Sequence, residues 1–377
     1  MRAVCNTDQF GRKLALVSRG VSTRSTVDVL GGILVEGTEG ELRLSATDMD
    51  VSIQTTSPAE VEEDGRVVIP ARIFNDIVRS LPIGDLVLEY EAAEGTVRLA
   101  AGRNEYRIRA YAADEFPGLP VFEASDAFAI SGEVLVETVE KVSRSYSRDE
   151  TRPVLTGILV SFEGSRLRMV TTDSYRLSIK ETDIVSSFEG RRDAIIPARA
   201  MQEVGRIFSG SEEENIEVVL GENQALFRVG DVLFGTRLIE GNFPEYGRLL
   251  PERFEREISV PREDLMGTLR RVSLFAQRQT PPVPVTLSFS EGEVEVSVRS
   301  QEIGEAHEKL PATSEEEFQI SFNPGYLLDG VSAVDSERVL FRFNESLKPA
   351  LIVPGGEKEE DDDFLYLIMP MRDPAHV

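Results

Sequence analysis

The chain repeats itself with the period of a domain. VIPARIFNDIVRSL at Val68 to Leu81 comes back as IIPARAMQEVGRIF at Ile195 to Phe208, and more loosely as FNPGYLLDGVSAV at Phe322 to Val334. The copies start about 127 residues apart both times, too far for a stacked solenoid unit and right for a small domain. In the first two copies a β-branched pair runs into proline at the first helical position, where the missing N–H costs nothing. Helical spacing puts Ile73, Ile77 and Leu81 on one face and Arg72, Asp76 and Arg79 on the other. The second copy sets Ala200, Val204 and Phe208 against Arg199, Glu203 and Arg206. Any duplicated domain repeats its core positions. Repeated exposed arginines single out the polar face.

The surrounding sequence repeats in the same order. Thr7 is the expected N-cap of a helix over Asp8 to Val17, with Phe10, Leu14 and Val17 inward. Alternating strands follow around a Gly-centred turn, and a polar loop at Ala59 to Gly65 leads to the first Pro-Ala-Arg helix. More strands end in EFPGLP at Glu115 to Pro120. The second round opens with a helix bearing Val134, Thr138, Val142 and Tyr146 in register, and closes with NFPEYGRLLP at Asn242 to Pro251. Its Thr172–Asp173 echoes Thr47–Asp48, a pair that turn chemistry accounts for. A third round, from Ile258, ends in FLYLIMPMR at Phe364 to Arg372. The reading is α+β: three tandem copies of one domain over 1–121, 128–251 and 258–377, each with two amphipathic helices on antiparallel sheets.

Composition narrows the function. The single cysteine, Cys5, excludes an intramolecular disulfide and a cysteine metal cluster, and His307 and His376 read as surface residues. There is no signal-peptide pattern in MRAVCNTDQF and no apolar run of membrane-spanning length, so a cytoplasmic chain is expected. No phosphate-cradling loop or GxGxxG occurs, and no His or Lys constellation accompanies the serines and aspartates. No catalytic site, metal or cofactor is expected. The acidic run Glu357 to Asp363 lacks the glycine-punctuated spacing of a calcium loop and reads as solvated.

The net charge of −25 argues against nucleic acid until its distribution is considered. The helix segments together carry about +5, leaving about −30 for the rest. Arginines that merely balance helix faces would give this pattern. So would an acidic body that meets a polyanion on one surface. Tryptophan is absent and no stacking motif is present, so base-specific readout has no support.

The threefold repeat, the Pro-Ala-Arg helices, DSYRLS at Asp173 to Ser178, NFPEYGRLLP and the terminal LIMPMR together resemble the bacterial β sliding clamps, the processivity subunits of replicative DNA polymerase. The resemblance covers essentially the whole chain. It implies a head-to-tail homodimeric ring of clamp domains around double-stranded DNA, bound without sequence preference. Channel arginines would be Arg24, Arg72, Arg79, Arg148, Arg152, Arg199 and Arg206. It further implies a pocket that takes short linear peptides of the polymerase, the clamp loader and repair proteins. The matching positions are Leu155, Thr172, Ser174, Tyr175, Arg176, Leu177, Pro244, Arg248, Leu249, Leu347, Pro349, Leu367, Met369, Pro370, Met371 and Arg372. Ser174–Tyr175 stands where many relatives have Gly–His. Dimer contacts would pair Tyr106 and Ile108 with Leu274 and Phe275 of the other subunit. The third copy has Gly325 and Ser332 where the repeated arginines stood, so its second helix adds little to a DNA surface. A clamp paralogue used in repair, or an inhibitor-resistant copy, is the related alternative; an enzyme on the same scaffold would need an active-site constellation that the sequence lacks.

Overall fold

A computed structural model describes residues 1–22, 27–38, 40–123, 127–276, 282–355 and 363–372, with backbone alone at 185–189. The chain packs as two compact units. Met1–Glu133 joins Glu203–Leu238 in one, and Val134–Gln202 joins Ile239–Val377 in the other.

The first unit is built on a twelve-stranded sheet. Its path runs from Asn104–Arg109 through Thr96–Ala101, Asp85–Glu91, Arg2–Asn6 and Val51–Glu63, then Val232–Arg237, Gln224–Val229, Asn215–Leu220 and Phe128–Ser131. Val51–Glu63 is long because its two halves have different partners. Ser52 to Pro58 pair with Glu41–Thr47, and Ala59 to Glu63 pair with Arg2–Asn6. The expected polar loop at Ala59 to Gly65 is therefore strand as far as Glu63.

Helix α1 (Thr7–Val17) buries Thr7, Phe10, Leu14 and Val17. Its cap is Asn6, one residue before the expected Thr7: the Asn6 side-chain oxygen Oδ1 accepts from the backbone N–H of Asp8 and Gln9. The Thr7 hydroxyl is engaged elsewhere, donating to the Gly84 carbonyl at 2.8 Å. Helix α2 (Ala71–Ser80) turns Ala71, Phe74 and Val78 inward. The expected stripe through Ile73 is displaced, and Ile73 is exposed. Phe74 is the reason, since its ring meets Phe10 at 5.7 Å and fixes which face of α2 packs on α1.

Helix α3 (Gly132–Val142) stops before Tyr146, and it buries Leu135 and Val139 beside Thr138 and Val142. Gly132 has to lack a side chain, because a Cβ there would lie 1.9 Å from the Phe208 ring. Helix α4 (Ala198–Ser209) buries Ala200, Met201, Val204 and Ile207.

The second unit holds two sheets. One runs Gly157–Thr172, Arg176–Pro197, Phe364–Ile368, Ala350–Gly355, Arg338–Phe343 and Arg256–Pro261; the other runs Gly304–Pro311, Glu293–Ser300, Val285–Ser290 and Phe318–Phe322. Helices α5 (Arg262–Val272) and α6 (Pro324–Ser332) bury Leu265, Leu269, Val272, Leu327 and Val331 in one core with Phe341 and Phe343. Each such side chain contributes roughly 1.5–3 kcal/mol relative to exposure. The acidic run lies outside the described residues except for Asp363, which accepts from Arg166 at 3.2 Å.

The repeats are joined through shared sheets. Val51–Glu63 of the first repeat pairs antiparallel with Val232–Arg237, the last strand of the second. Arg176–Pro197 of the second pairs in the same sense with Phe364–Ile368, the last strand of the third. At each seam, the strand that follows a Thr-Asp turn meets the closing strand of the next repeat. The two compact units thus divide the second repeat between them.

Candidate functional site

Exposed arginines repeat because buried positions repeat. On α2 the stripe Ala71–Phe74–Val78 leaves Arg72, Asp76 and Arg79 outward. On α4 the buried face leaves Arg199 and Arg206 outward. Arg148 and Arg152 follow α3 in a loop. Arg72, Arg79, Arg148 and Arg199 have no side-chain partner among the described residues. Arg206 donates to Glu203 at 2.7 Å, and Arg152 to Asp149 at 2.9 Å and to the Ser174 hydroxyl at 2.9 Å. Arg24 lies outside the described residues. Two other cations of the first helix segment are committed internally. Arg19 meets Glu203 at 2.7 Å, and Lys13 meets Asp231. Burial opposes the Asp231 charge, but Lys13 and the Thr55 hydroxyl outweigh it and hold this carboxyl below its usual range. Free positive charge on the first unit's helices thus resides on α2 more than on α1.

The two Thr-Asp pairs build one turn twice. Thr47 and Thr172 donate their hydroxyls to the carbonyls of Val51 and Arg176, both at 2.7 Å. Each hydroxyl also accepts from the N–H two residues on, at 3.0 Å from Met49 and 3.1 Å from Ser174. Asp48 accepts from the N–H of Asp50 and Val51; Asp173 does so from Tyr175 and Arg176. The pinched residue adopts φ 82° at Met49 and φ 80° at Ser174. A side chain in that left-handed region costs roughly 1–2 kcal/mol. Each turn then receives the closing strand of the next repeat. Arg237 N–H donates to the Asp50 carbonyl and Met369 N–H to the Tyr175 carbonyl, both at 2.9 Å.

Part of the set singled out for the pocket comes together beside the second turn. Leu155, Leu177 and Leu367 are buried, with Leu177 and Leu367 in one cluster against Phe243, Tyr246 and Leu250. Tyr175 and Leu347 are 61% and 59% exposed, and Leu249 and Met369 are also open. Large apolar groups in water beside a buried leucine floor are what an adaptable peptide groove requires. The last strand ends at Ile368, and Pro370 has no N–H to continue it. Met371 N–H instead donates to the Ser321 carbonyl at 2.7 Å, so the chain crosses to the other sheet with Met369 at the bend. Pro244 and Arg248 are exposed, Arg248 paired with Glu245 at 2.6 Å. Pro349 is half-buried, and Arg372 is exposed with no partner among the described residues.

Arg176, which the motif places in the pocket, is tied into the fold beneath the turn. Its guanidinium is nearly enclosed, donating to Asp173 at 3.0 Å, to Asp329, and to the Tyr366 hydroxyl at 3.4 Å, over the Tyr326 ring at 4.2 Å. Burial works against its charge, yet Tyr366, Asp329 and Asp173 raise its pKa above the ordinary value. Burial in turn pushes the Tyr366 phenol up, with Arg176 opposing only in part. That hydroxyl stays a donor, to the Tyr326 carbonyl at 2.8 Å. Arg176 therefore braces the turn from beneath. Asp329, Tyr326 and Tyr366 escape a sequence reading because they lie more than a hundred residues from Arg176, in the third repeat, and no local pattern couples them to it.

Among the described residues no helix is long and apolar enough to cross a membrane. Profiles of the DNA polymerase III beta subunit match nearly all of the sequence: the N-terminal domain over residues 1–120, the central domain over 129–245 and the C-terminal domain over 247–372. The beta sliding clamp of Synechococcus elongatus is 32% identical over 379 residues, covering 99% of both chains. The crystal structure of the DNA polymerase sliding clamp from Bacillus subtilis superposes with a TM-score of 0.92 at 28% identity, covering 99% of each chain. That of the sliding clamp from Bartonella birtlesii, bound to griselimycin, gives 0.91 at 29%, again covering 99% of each. With all three domain profiles in order and a relative of that identity over the full length, the chain belongs to the DNA polymerase III beta subunit family, the beta sliding clamps, and is a DNA sliding clamp and processivity factor without catalytic activity of its own.

Proposed function

We propose that two copies of this chain close head to tail into a ring around double-stranded DNA. The observation that carries this reading is the pattern of seams. Twice, the strand after the turn of one repeat pairs with the closing strand of the next. The third repeat's corresponding strand, Gly304–Pro311, is an edge of its sheet, and so is the first repeat's closing strand, Asn104–Arg109. A partner that supplies each edge with the other completes the series, and the two-fold relation closes it. Tyr106 and Leu274 are exposed and available for such a contact; Ile108 is buried and Phe275 packs partly on its own core, so these two would support it from behind.

Clamp domains over 1–121, 128–251 and 258–377 would then present Arg24, Arg72, Arg79, Arg148, Arg152, Arg199 and Arg206 to the duplex. Scattered phosphate contacts without base readout bind at roughly 10⁻⁴–10⁻⁶ M at physiological salt, weak enough for sliding. Retention would come from enclosure. The groove of Tyr175, Leu177, Leu249, Leu347 and Met369 would take short linear peptides of the polymerase, the clamp loader and repair proteins in the cytoplasm. The test is retention. Rings loaded on nicked circular DNA should survive a high-salt wash and be lost on linearisation; equal retention on both forms refutes enclosure.

A further inference from the structure

The first turn has a cleft of its own. A cavity of about 280 Å³ opens beside Met49 and Asp50, walled by Pro117 to Pro120 and by the strand ends at Gln224 and Arg237. It stands at the first seam where the groove of Tyr175 and Met369 stands at the second, and the register aligns the two position by position. Asp50 takes the place of Tyr175, Ser52 that of Leu177, Gly235 that of Leu367, and Arg237 that of Met369. Each apolar group of the second seam is thus polar or absent at the first. Gly235 cannot be enlarged, since a Cβ there would lie 2.6 Å from the Ser52 hydroxyl, so the floor stays narrow and hydrophilic.

The polar groups of this cleft are unspent. Arg237 is exposed and sits opposite Gln224 on the neighbouring strand. Neither side chain, nor the Asp50 carboxylate, has a partner among the described residues. Met49, which the turn holds in the left-handed region, is 48% exposed at the rim, with Pro117 and Leu119 also lining the cleft. A lone guanidinium with free donors recognises a carboxylate bidentately. Asp50, in a chain of net charge −25, disfavours a longer run of anions or a polyphosphate. The methionine, prolines and leucine call for an aliphatic neighbour.

We infer that this cleft is a second peptide site, which takes a short extended segment of a partner protein bearing one carboxylate beside one aliphatic side chain. The carboxylate meets Arg237 and Gln224, and the aliphatic group lies between Met49, Pro117 and Leu119. The inference rests on the reading of the second-seam groove as a peptide site, and the experiment separates the two. The chain has seven methionines. Met49 reports on this cleft, Met369 and Met371 on the other groove, and Met169, Met201 and Met266 are buried controls. The full-length protein, carrying ¹³C-methyl methionine, is titrated by NMR with acetyl-Ala-Leu-Asp-amide, with its Leu-Lys counterpart and with inorganic phosphate. The Met49 resonance should shift saturably with the aspartate peptide alone. Arg237→Ala should weaken that response at least tenfold and leave the Met369 and Met371 responses unchanged. A silent Met49 beside responsive Met369 and Met371 overturns this inference and spares the groove. A Met49 shift that survives Arg237→Ala, or that phosphate reproduces, overturns it as well, and silence at all three methyls overturns both readings.

Discussion

Arg176 tests whether the pocket turn is braced from below or merely decorated. Replacing it with alanine strips the counter-charge from Asp173 and Asp329 and removes the cation stacked on Tyr326. Removing one partner of a fully buried ion pair costs about 3–5 kcal/mol. Two features lower that figure here. The Asp329 side chain is 38% exposed, so water can replace much of what the guanidinium supplied. Asp173 keeps the N–H donors of Tyr175 and residue 176, at 2.9 and 3.0 Å. What remains is one poorly solvated carboxylate and a lost stacking contact, about 2–3 kcal/mol. With a urea slope of about 3 kcal/mol/M, the midpoint of this unit's transition should fall by about 0.7–1 M. Tyr366→Phe removes the one hydroxyl that donates to the Tyr326 carbonyl and should cost only about 1 kcal/mol. Arg72→Ala, a surface change, should leave the midpoint in place. Because Tyr175 and Met369 are held by the same turn, affinity for a polymerase tail peptide, followed by fluorescence anisotropy, should fall with Arg176→Ala as well. An Arg176→Ala protein within about 0.5 kcal/mol of the parent, with unchanged peptide affinity, would refute the bracing role.

Three further outcomes are expected. Leu274→Ala with Phe275→Ala should give folded monomers by light scattering, since truncating an interface anchor can cost ~2 kcal/mol or more; a persistent dimer would place the contact elsewhere. Deleting Met369 to Val377 removes an exposed methionine and the backbone bonds to Tyr175 and Ser321. Peptide affinity should drop at least ~10-fold, about 1.4 kcal/mol, while a ring of unchanged size persists; undiminished affinity refutes the pocket. The buried Cys5 thiol is pushed up to about 12, first by burial and then by Asp85, so it should resist thiol reagents in the native protein at pH 8. Its neutral form is favoured in the fold, so its contribution to stability is complete below about 8.5, the usual thiol value, and is lost as pH rises towards 12; rapid labelling at pH 8 without unfolding would contradict this.

The repeat was legible because core positions and turn residues recur at fixed offsets, and pattern alone carried the order of helices and strands. What escaped was decided by pairing at a distance. Ala59 to Glu63 look like a polar loop because their strand faces water on much of its surface; only Arg2–Asn6 beside them makes it strand. Ile73 fits a helical stripe as well as Phe74 does, and the choice falls to Phe74 because Phe10 stands opposite. The exposed arginines of α2 and α4 follow from periodicity, whereas the commitment of Lys13 to Asp231 spans 218 positions and leaves no local trace. Arg176 was placed in the pocket by its motif. Its surroundings come from Asp329 on α6 and from Tyr366 on the closing strand that pairs beside it.

The open edges gain meaning from the seams that are closed. An unpaired strand in water invites non-specific pairing, and charges on its outward residues are the usual protection. Asn104–Arg109 carries Glu105, Arg107 and Arg109 at alternate positions, and Gly304–Pro311 carries Glu305, His307 and Lys309. Both signs occur on each edge, so neither repels the other as a whole. Several of these charges are already neutralised within their own sheet: Arg98 and Arg107 both reach Glu105, and Lys309 reaches Glu293. Tyr106 and Leu274, both exposed, would supply the proposed interface with the attraction that charge alone would not. In the proposed ring, an interface made this way would present no continuous hydrophobic stripe when open.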